Sequence, residues 1–177
     1  WPQEATAAAA EVEAPAAVTQ QQELSEEEQK ELDKELLDAA EKGDEEGVRD
    51  LLARGANPNA AKDDGISALH HAAYKGYLSI ANLLLQGGAT VDAVSTRGAT
   101  ALHLAAYNGK IQVVEALLKA GADKALKNKV GKTALDYAEE KDHPAIVKLL
   151  RDWPQEATAA AAEVEAPAAV TQQQELS

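Results

Sequence analysis

The sequence predicts an all-α repeat solenoid, and three observations support that prediction. Glycine, leucine and alanine each recur with a period of 33 residues. The series are Gly65, Gly98 and Gly131; Leu69, Leu102 and Leu135; and Ala72, Ala105 and Ala138. Aromatic residues make up only 3% of the chain and Phe is absent, so aliphatic residues and Ala must fill the core, as they can between closely packed helices. Such a period is typical of stacked units that bury their apolar faces against one another.

Each unit is predicted to contain two short helices and an extended turn. The segment SALHHAAY has apolar residues at helical spacing and begins with Ser67 as a capping residue. Thr100 and Thr133 hold the same position in the next two units. Gly76 and Gly109 are placed to end the first helix in the left-handed conformation that glycine adopts easily. A second amphipathic helix follows, and another glycine ends it before the turn to the next unit.

The two ends of the repeat array are predicted to be polar caps, as a soluble solenoid requires. Ser25 and Glu28 have the spacing of a capping box at the start of a charged first helix. In the last unit, Asp142 is expected to cap the final helix, with Pro144 in its first turn. We therefore expect one repeat domain over residues 26–152. Its predicted parts are an N-terminal cap (26–59), two repeats (60–92 and 93–125) and a C-terminal cap (126–152).

The blocks TALHLAAYNG and VVEALLKAGAD, together with the 33-residue step, resemble ankyrin repeats over about residues 33–152. Ala68, Ala101 and Ala134 stand where the Thr-Pro-Leu-His pattern of that family has proline. The resemblance implies helix–turn–helix units joined by β-turn or hairpin loops. It also implies a concave groove, formed by the first helices and the turn tips, that binds another protein.

The predicted groove residues are carried over from the resemblance by position. Tyr74 and Tyr107 are one repeat apart and are expected to stack side by side on this surface. The turn tips change from acidic at the first to basic at the third (Lys124, Lys127, Lys129 and Lys132), which would orient a partner. The alternative is an ordinary solvated surface on which these side chains have no role. The predicted lining residues are Asp63, Asp64, Ile66, Tyr74, Lys75, Thr96, Arg97, Tyr107, Asn108, Lys129, Lys132 and Lys141, with Ala99, Val130 and Glu140 beside them.

Residues 1–25 and 153–177 are identical in sequence, and each copy contains four Glu and no Lys or Arg. The identity fits either a tandem unit of 152 residues or a flank placed at both ends. The composition offers too little apolar surface to fold alone and predicts a disordered spacer. The alternative is a short recognition segment in which Trp1 or Trp153 is the anchor.

The composition argues against several classes of partner. A formal net charge of −13 disfavours nucleic acid and anionic membranes, which both attract basic surfaces. No run of 18 apolar residues occurs, so membrane insertion is not expected. The absence of Cys fits an intracellular compartment: the cytoplasm, the nucleus or an organelle lumen such as the plastid stroma.

Motifs for catalysis, cofactors and metals are not found, so we do not expect an enzyme. The tripeptide at 131–133 is similar to the end of a P-loop, but Leu126 stands where that motif requires glycine. His70 and His103 occupy equivalent positions, yet no third ligand follows at metal-site spacing. The family resemblance implies instead that these two histidines bond backbone groups and hold the turns together.

Three functions follow from this reading. The first is an adaptor or scaffold that binds a partner protein in the groove. The second is self-assembly, in which the flank of one molecule docks in the groove of another. The third is a cargo chaperone or an enzyme inhibitor, which the fold allows without favouring.

Overall fold

The computed structural model describes residues 24–154, and within them eight helices form four antiparallel pairs. The first helices of the pairs are α1 (Glu26–Lys42), α3 (Ala68–Lys75), α5 (Ala101–Tyr107) and α7 (Ala134–Glu140). The second helices are α2 (Glu45–Ala53), α4 (Leu78–Gln86), α6 (Ile111–Lys119) and α8 (Pro144–Asp152). The predicted all-α repeat architecture is confirmed. Within residues 24–154, no helix is both long enough and apolar enough to cross a lipid bilayer.

The pairs stack into two layers that share one core. The first helices pack against one another in the order α1, α3, α5 and α7, and the second helices form a parallel row. Ala72 and Ala105 are fully buried, and their small side chains let neighbouring first helices approach closely. Leu84 and Leu117 fill the space between the two layers. No single pair could bury this apolar surface, so stability depends on stacking.

The helix starts follow the sequence with one correction. Ser25 and Glu28 form the predicted capping box, and the Thr100 and Thr133 hydroxyls accept hydrogen bonds from backbone N–H groups of their helices. The prediction that Asp142 caps α8 is wrong, because His143 holds that position. Asp142 instead adopts a left-handed backbone conformation, with φ 57°, at the place that glycine occupies in the preceding pairs.

The turns between pairs are short hairpins that bond to one another. In each hairpin an N–H on one arm donates to a carbonyl on the other, as from Ser95 to Ala99 at 2.9 Å. Between hairpins, the Thr96 N–H donates to the Asp64 carbonyl oxygen at 2.8 Å. Gly65 has a positive φ, and a Cβ there would lie 2.9 Å from the Ser95 Cα, so only glycine fits this close approach. The tips therefore form a continuous, rigid edge beside the first helices.

The described chain includes the inner ends of both flanks. Leu24 lies beside Gly55 in the first pair. Trp153 ends α8 and packs, partly buried, against the core. Lys124 holds this end, because its Nζ donates to the carbonyl oxygens of Leu150 at 2.8 Å and Trp153 at 2.7 Å. The predictions for Trp1 and the rest of both flanks fall outside the described residues.

Candidate functional site

Two buried histidines position the turn tips relative to the first helices. The Nδ1 atom of His103 accepts a hydrogen bond from the Thr100 N–H at 3.1 Å. Its Nε2 lies 3.0 Å from the Lys132 carbonyl oxygen in the next turn. Since the carbonyl can only accept, Nε2 carries the proton. His70 repeats the arrangement one unit earlier, with Ser67 and the Ala99 carbonyl oxygen at 3.0 Å. The prediction that these histidines bond backbone and hold the turns together is confirmed.

Burial keeps both histidines neutral. It lowers the pKa of His70 and His103 below the usual imidazole value, and this effect outweighs the opposing hydrogen bonds from Nε2 to carbonyl oxygens. Both ring nitrogens are occupied by backbone or capping groups, so neither ring is available as a metal ligand. Among residues 24–154, no three His, Cys, Asp or Glu side chains are grouped so as to hold a metal ion.

A concave pocket of about 490 Å³ lies between the first helices and the turn tips. It spans the second, third and fourth pairs, and its lining is mainly apolar and aromatic. The lining residues are Tyr74, Thr96, Arg97, Ala99, His103, Leu104, Tyr107, Asn128, Lys129, Val130 and Tyr137. Three of its large apolar or aromatic side chains are well exposed to solvent: Tyr74 at 48%, Tyr107 at 40% and Val130 at 72%. Large apolar side chains left open on a concave surface are characteristic of binding sites.

The tyrosines are held in place by neighbouring groups. The rings of Tyr107 and Tyr137 meet edge to face, with centroids 5.5 Å apart. The Tyr137 hydroxyl accepts a hydrogen bond from Asn128 Nδ2 at 2.7 Å. Lys141 Nζ lies 4.4 Å from the Tyr107 ring centroid, within range of a cation–π contact. Tyr74 and Tyr107, predicted to stand side by side on one face, both line the pocket, and the ring partner of Tyr107 is Tyr137.

The structure places only part of the predicted groove in the pocket. Seven of the predicted or adjacent positions line it: Tyr74, Thr96, Arg97, Ala99, Tyr107, Lys129 and Val130. Asp63, Asp64 and Ile66 belong to the first turn tip, beyond the pocket edge, and Lys75 and Lys141 lie over tyrosine rings at its margin. Asn108 is turned back onto its own helix, where its Nδ2 donates to the Leu104 carbonyl oxygen at 2.9 Å.

The third turn tip has fewer free basic side chains than the sequence predicts. The Lys124 ammonium group is hydrogen-bonded to carbonyl oxygens at the end of α8, and Lys132 forms an ion pair with Glu140. Arg97 and Lys129 line the pocket and form no ion pair among the described residues. Among the lining residues, the positive charge therefore comes from these two side chains.

Sequence reasoning missed four lining residues: His103, Leu104, Asn128 and Tyr137. Tyr137 occupies the repeat position of Leu104, on the helix face next to the turn, and that register could have identified it. Asn128 is harder to find, because its repeat position holds Lys62 and Ser95 in the earlier units. Its role depends on a contact with Tyr137 that only the folded chain reveals.

A larger concavity of about 670 Å³ lies at the outer end of the last pair. Two of its lining residues, Glu139 and Arg151, already form an ion pair with each other. Its lining lacks aromatic side chains apart from His143, whose Nε2 is 3.1 Å from the Tyr107 carbonyl oxygen. The aromatic pocket on the concave face is therefore the stronger candidate.

Stacked helix pairs, hairpin turns and a concave pocket define an all-α repeat solenoid. The family model of ankyrin repeats (3 copies) matches residues 36–128 and 91–160. These ranges cover more than half of the sequence, and the chain belongs to the ankyrin-repeat family. Ankyrin repeats are generally protein–protein interaction modules. The search of curated proteins gave no match.

Proposed function

We propose that the chain is an adaptor or scaffold module that binds a partner protein in the aromatic pocket of its concave face. One observation carries this proposal: Tyr74, Tyr107 and Val130 are exposed together on a rigid concave surface. Tyrosine loses little conformational entropy on binding and offers both apolar area and a hydroxyl, so it is favoured at interfaces.

The charges around the pocket favour one kind of partner segment. Arg97 and Lys129 line the pocket and form no ion pair within residues 24–154, whereas the first turn tip presents Asp63 and Asp64. An extended segment with carboxylates beside an apolar side chain would match the pocket and its rim. The acidic first tip would repel the same carboxylates and so fix the direction of binding.

The proposal is tested by affinity capture from cell extract, with the captured proteins quantified by mass spectrometry. The bait is the full chain, compared with a Tyr107→Ala/Tyr137→Ala variant. Truncation of a central interface tyrosine commonly costs about 1–2 kcal/mol, so the double change should reduce capture of a true partner roughly tenfold or more. Ile111→Ala is the matched control, because Ile111 is similarly exposed but begins the outer helix α6.

Partners captured by the full chain and the Ile111→Ala control, and lost from the tyrosine variant, would support the pocket. Equal capture by all three baits would contradict it. Circular dichroism on each bait establishes that loss of capture does not reflect unfolding. A cargo chaperone or an enzyme inhibitor would use the same pocket, and the identity of the captured protein distinguishes those roles from a scaffold.

A further inference from the structure

We propose that the C-terminal segment 155–177 of this same chain occupies the aromatic pocket and competes with its protein partner. This inference rests on the proposed function of the pocket and adds a regulator to it. The segment has the chemistry that the pocket favours, and it is long enough to reach the pocket from its point of attachment. Those two observations carry the inference.

The charges of segment and pocket are complementary. The segment contains four Glu and no Lys or Arg. Two of these carboxylates, Glu163 and Glu165, lie on either side of Val164 in the sequence. At the pocket rim, Arg97 and Lys129 form no ion pair among residues 24–154, and they are exposed next to the apolar lining. Arg97 and Lys129 are neighbours on adjacent turn tips, where the Lys129 N–H donates to the Arg97 carbonyl oxygen at 3.0 Å. A valine with carboxylates beside it therefore matches a tyrosine-lined pocket that has two cations along one edge.

The apolar residues of the segment have a spacing that suits an aromatic groove. Val164, Pro167 and Val170 follow one another at intervals of three residues. A polyproline II helix has three residues per turn, so in that conformation the three side chains would share one edge. Aromatic grooves commonly bind proline-containing segments in this conformation. Trp153 is not available for the pocket, because it is packed against the core at the end of α8.

The attachment point lies within reach of the pocket. Lys124 bonds the Trp153 carbonyl oxygen, and Asn128, four residues further along the same turn, lines the pocket. The path from Asn128 back to Lys124 is four Cα steps of ~3.8 Å, and the Lys124 side chain then reaches the Trp153 carbonyl oxygen. The start of the segment therefore lies within about 30 Å of Asn128. The eleven residues that follow Trp153, as far as Val164, can span roughly 36 Å when extended. The N-terminal copy is instead attached at Leu24, beside the first pair.

The test uses the full chain and a fluorescein-labelled synthetic peptide of residues 155–177, with binding followed by fluorescence anisotropy. In the wild-type chain the attached segment competes at an effective concentration on the order of millimolar, so the probe binds weakly. Val164→Lys/Val170→Lys should release the pocket and tighten probe binding at least tenfold. The matched control, Val12→Lys/Val18→Lys, alters the identical residues of the N-terminal copy and should leave probe affinity within about twofold.

Equal probe affinity for the wild type and the Val164→Lys/Val170→Lys variant would overturn the inference, as would the absence of probe binding to every chain. Equal release by the N-terminal control, or docking between molecules detected as concentration-dependent light scattering, would also overturn it. The proposed function fails separately, when the Tyr107→Ala/Tyr137→Ala bait captures the same proteins as the wild type. A third outcome combines loss of capture by that bait with equal probe affinity for the wild type and the Val164→Lys/Val170→Lys variant. It would mean that the pocket binds a partner but is not covered by the chain's own segment.

Discussion

The ring of Tyr107 rests edge to face against the ring of Tyr137 in the next repeat, with centroids 5.5 Å apart and planes at 79°. This contact joins α5 and α7, the first helices of the third and fourth pairs, on the concave face. Both rings line the pocket: Tyr107 is exposed, and Tyr137 is held by a hydrogen bond from Asn128. The pocket is thus a product of neighbouring repeats.

The Tyr107–Tyr137 contact should appear as coupling in a double-mutant cycle. We expect Tyr107→Ala and Tyr137→Ala to be non-additive in the free energy of unfolding, with a coupling of about 0.5–1.5 kcal/mol. Urea denaturation of the two single variants and the double variant measures this term. Tyr74 is the control, since no ring contact joins it to Tyr137 among the described residues, and its cycle with Tyr137 should be additive. Additivity in both cycles would rule out the contact.

His103→Ala should destabilise the chain by roughly 1–3 kcal/mol, because it leaves the buried Thr100 N–H and the Lys132 carbonyl oxygen without their partner. The midpoint of urea denaturation measures the loss. His143→Ala is the comparison, because His143 makes one exposed bond at the end of the array, to the Tyr107 carbonyl oxygen. An equal, small effect of both changes would mean that His103 does not fasten the turn.

The free energy of unfolding should fall as the pH is lowered from about 7 to 5. Burial lowers the pKa of His70 and His103 in the folded chain, so the unfolded chain binds more protons in this range. Their contribution is fully present above the ordinary imidazole pKa of about 6.5 and is lost as the pH falls through the lower, folded values. Carboxylates whose pKa is lowered in the folded chain, such as Asp136, also stabilise the fold, and that stabilisation is lost only at more acidic pH.

Urea midpoints at several pH values measure this dependence. The double variant His70→Gln/His103→Gln should show a flatter profile between pH 7 and 5, because glutamine does not titrate. A wild-type profile that is already flat in this range would contradict the assignment of neutral, buried histidines.

Asp142→Gly should stabilise the chain by about 0.5–1 kcal/mol. Asp142 has φ 57°, a left-handed conformation that costs a residue with a Cβ and suits glycine. The matched change is Gly109→Ala, at the equivalent position, which should destabilise because its Cβ would lie 2.8 Å from the His143 ring at φ 69°. Thermal denaturation of both variants tests the pair, and a lower midpoint for Asp142→Gly would contradict the backbone assignment.

Much of the fold could be predicted because similar local sequence signals recur in successive repeats. The glycines that end helices, the threonines that begin them and the small alanines between them each act locally or through the nearest repeat. The prediction for Asp142 was wrong because aspartate is a common N-cap residue. The left-handed backbone at Asp142 follows instead from its repeat position, which is that of Gly109 one unit earlier.

The pocket was less predictable than the fold. Tyr74, Arg97 and Tyr107 could be placed on the concave face from their repeat positions. Lys124 and Lys132 could not be excluded from it, since their partners at the end of α8 and at Glu140 are set by tertiary packing. The ring contact of Tyr137 depends likewise on the distance between two helices, which no periodicity specifies.

Site-specific photo-crosslinking of the full chain in cell extract shows directly whether a protein binds in the concave pocket. A benzophenone amino acid is placed at the position of Val130, the most exposed apolar side chain lining the pocket, and separately at Gln112 on the outer helix α6. A pocket that binds a protein predicts a crosslinked partner from position 130 that is lost with Tyr107→Ala/Tyr137→Ala, and none of that partner from position 112. The same partner crosslinked from position 112 and not from position 130 would place binding on the row of second helices and contradict binding in the pocket.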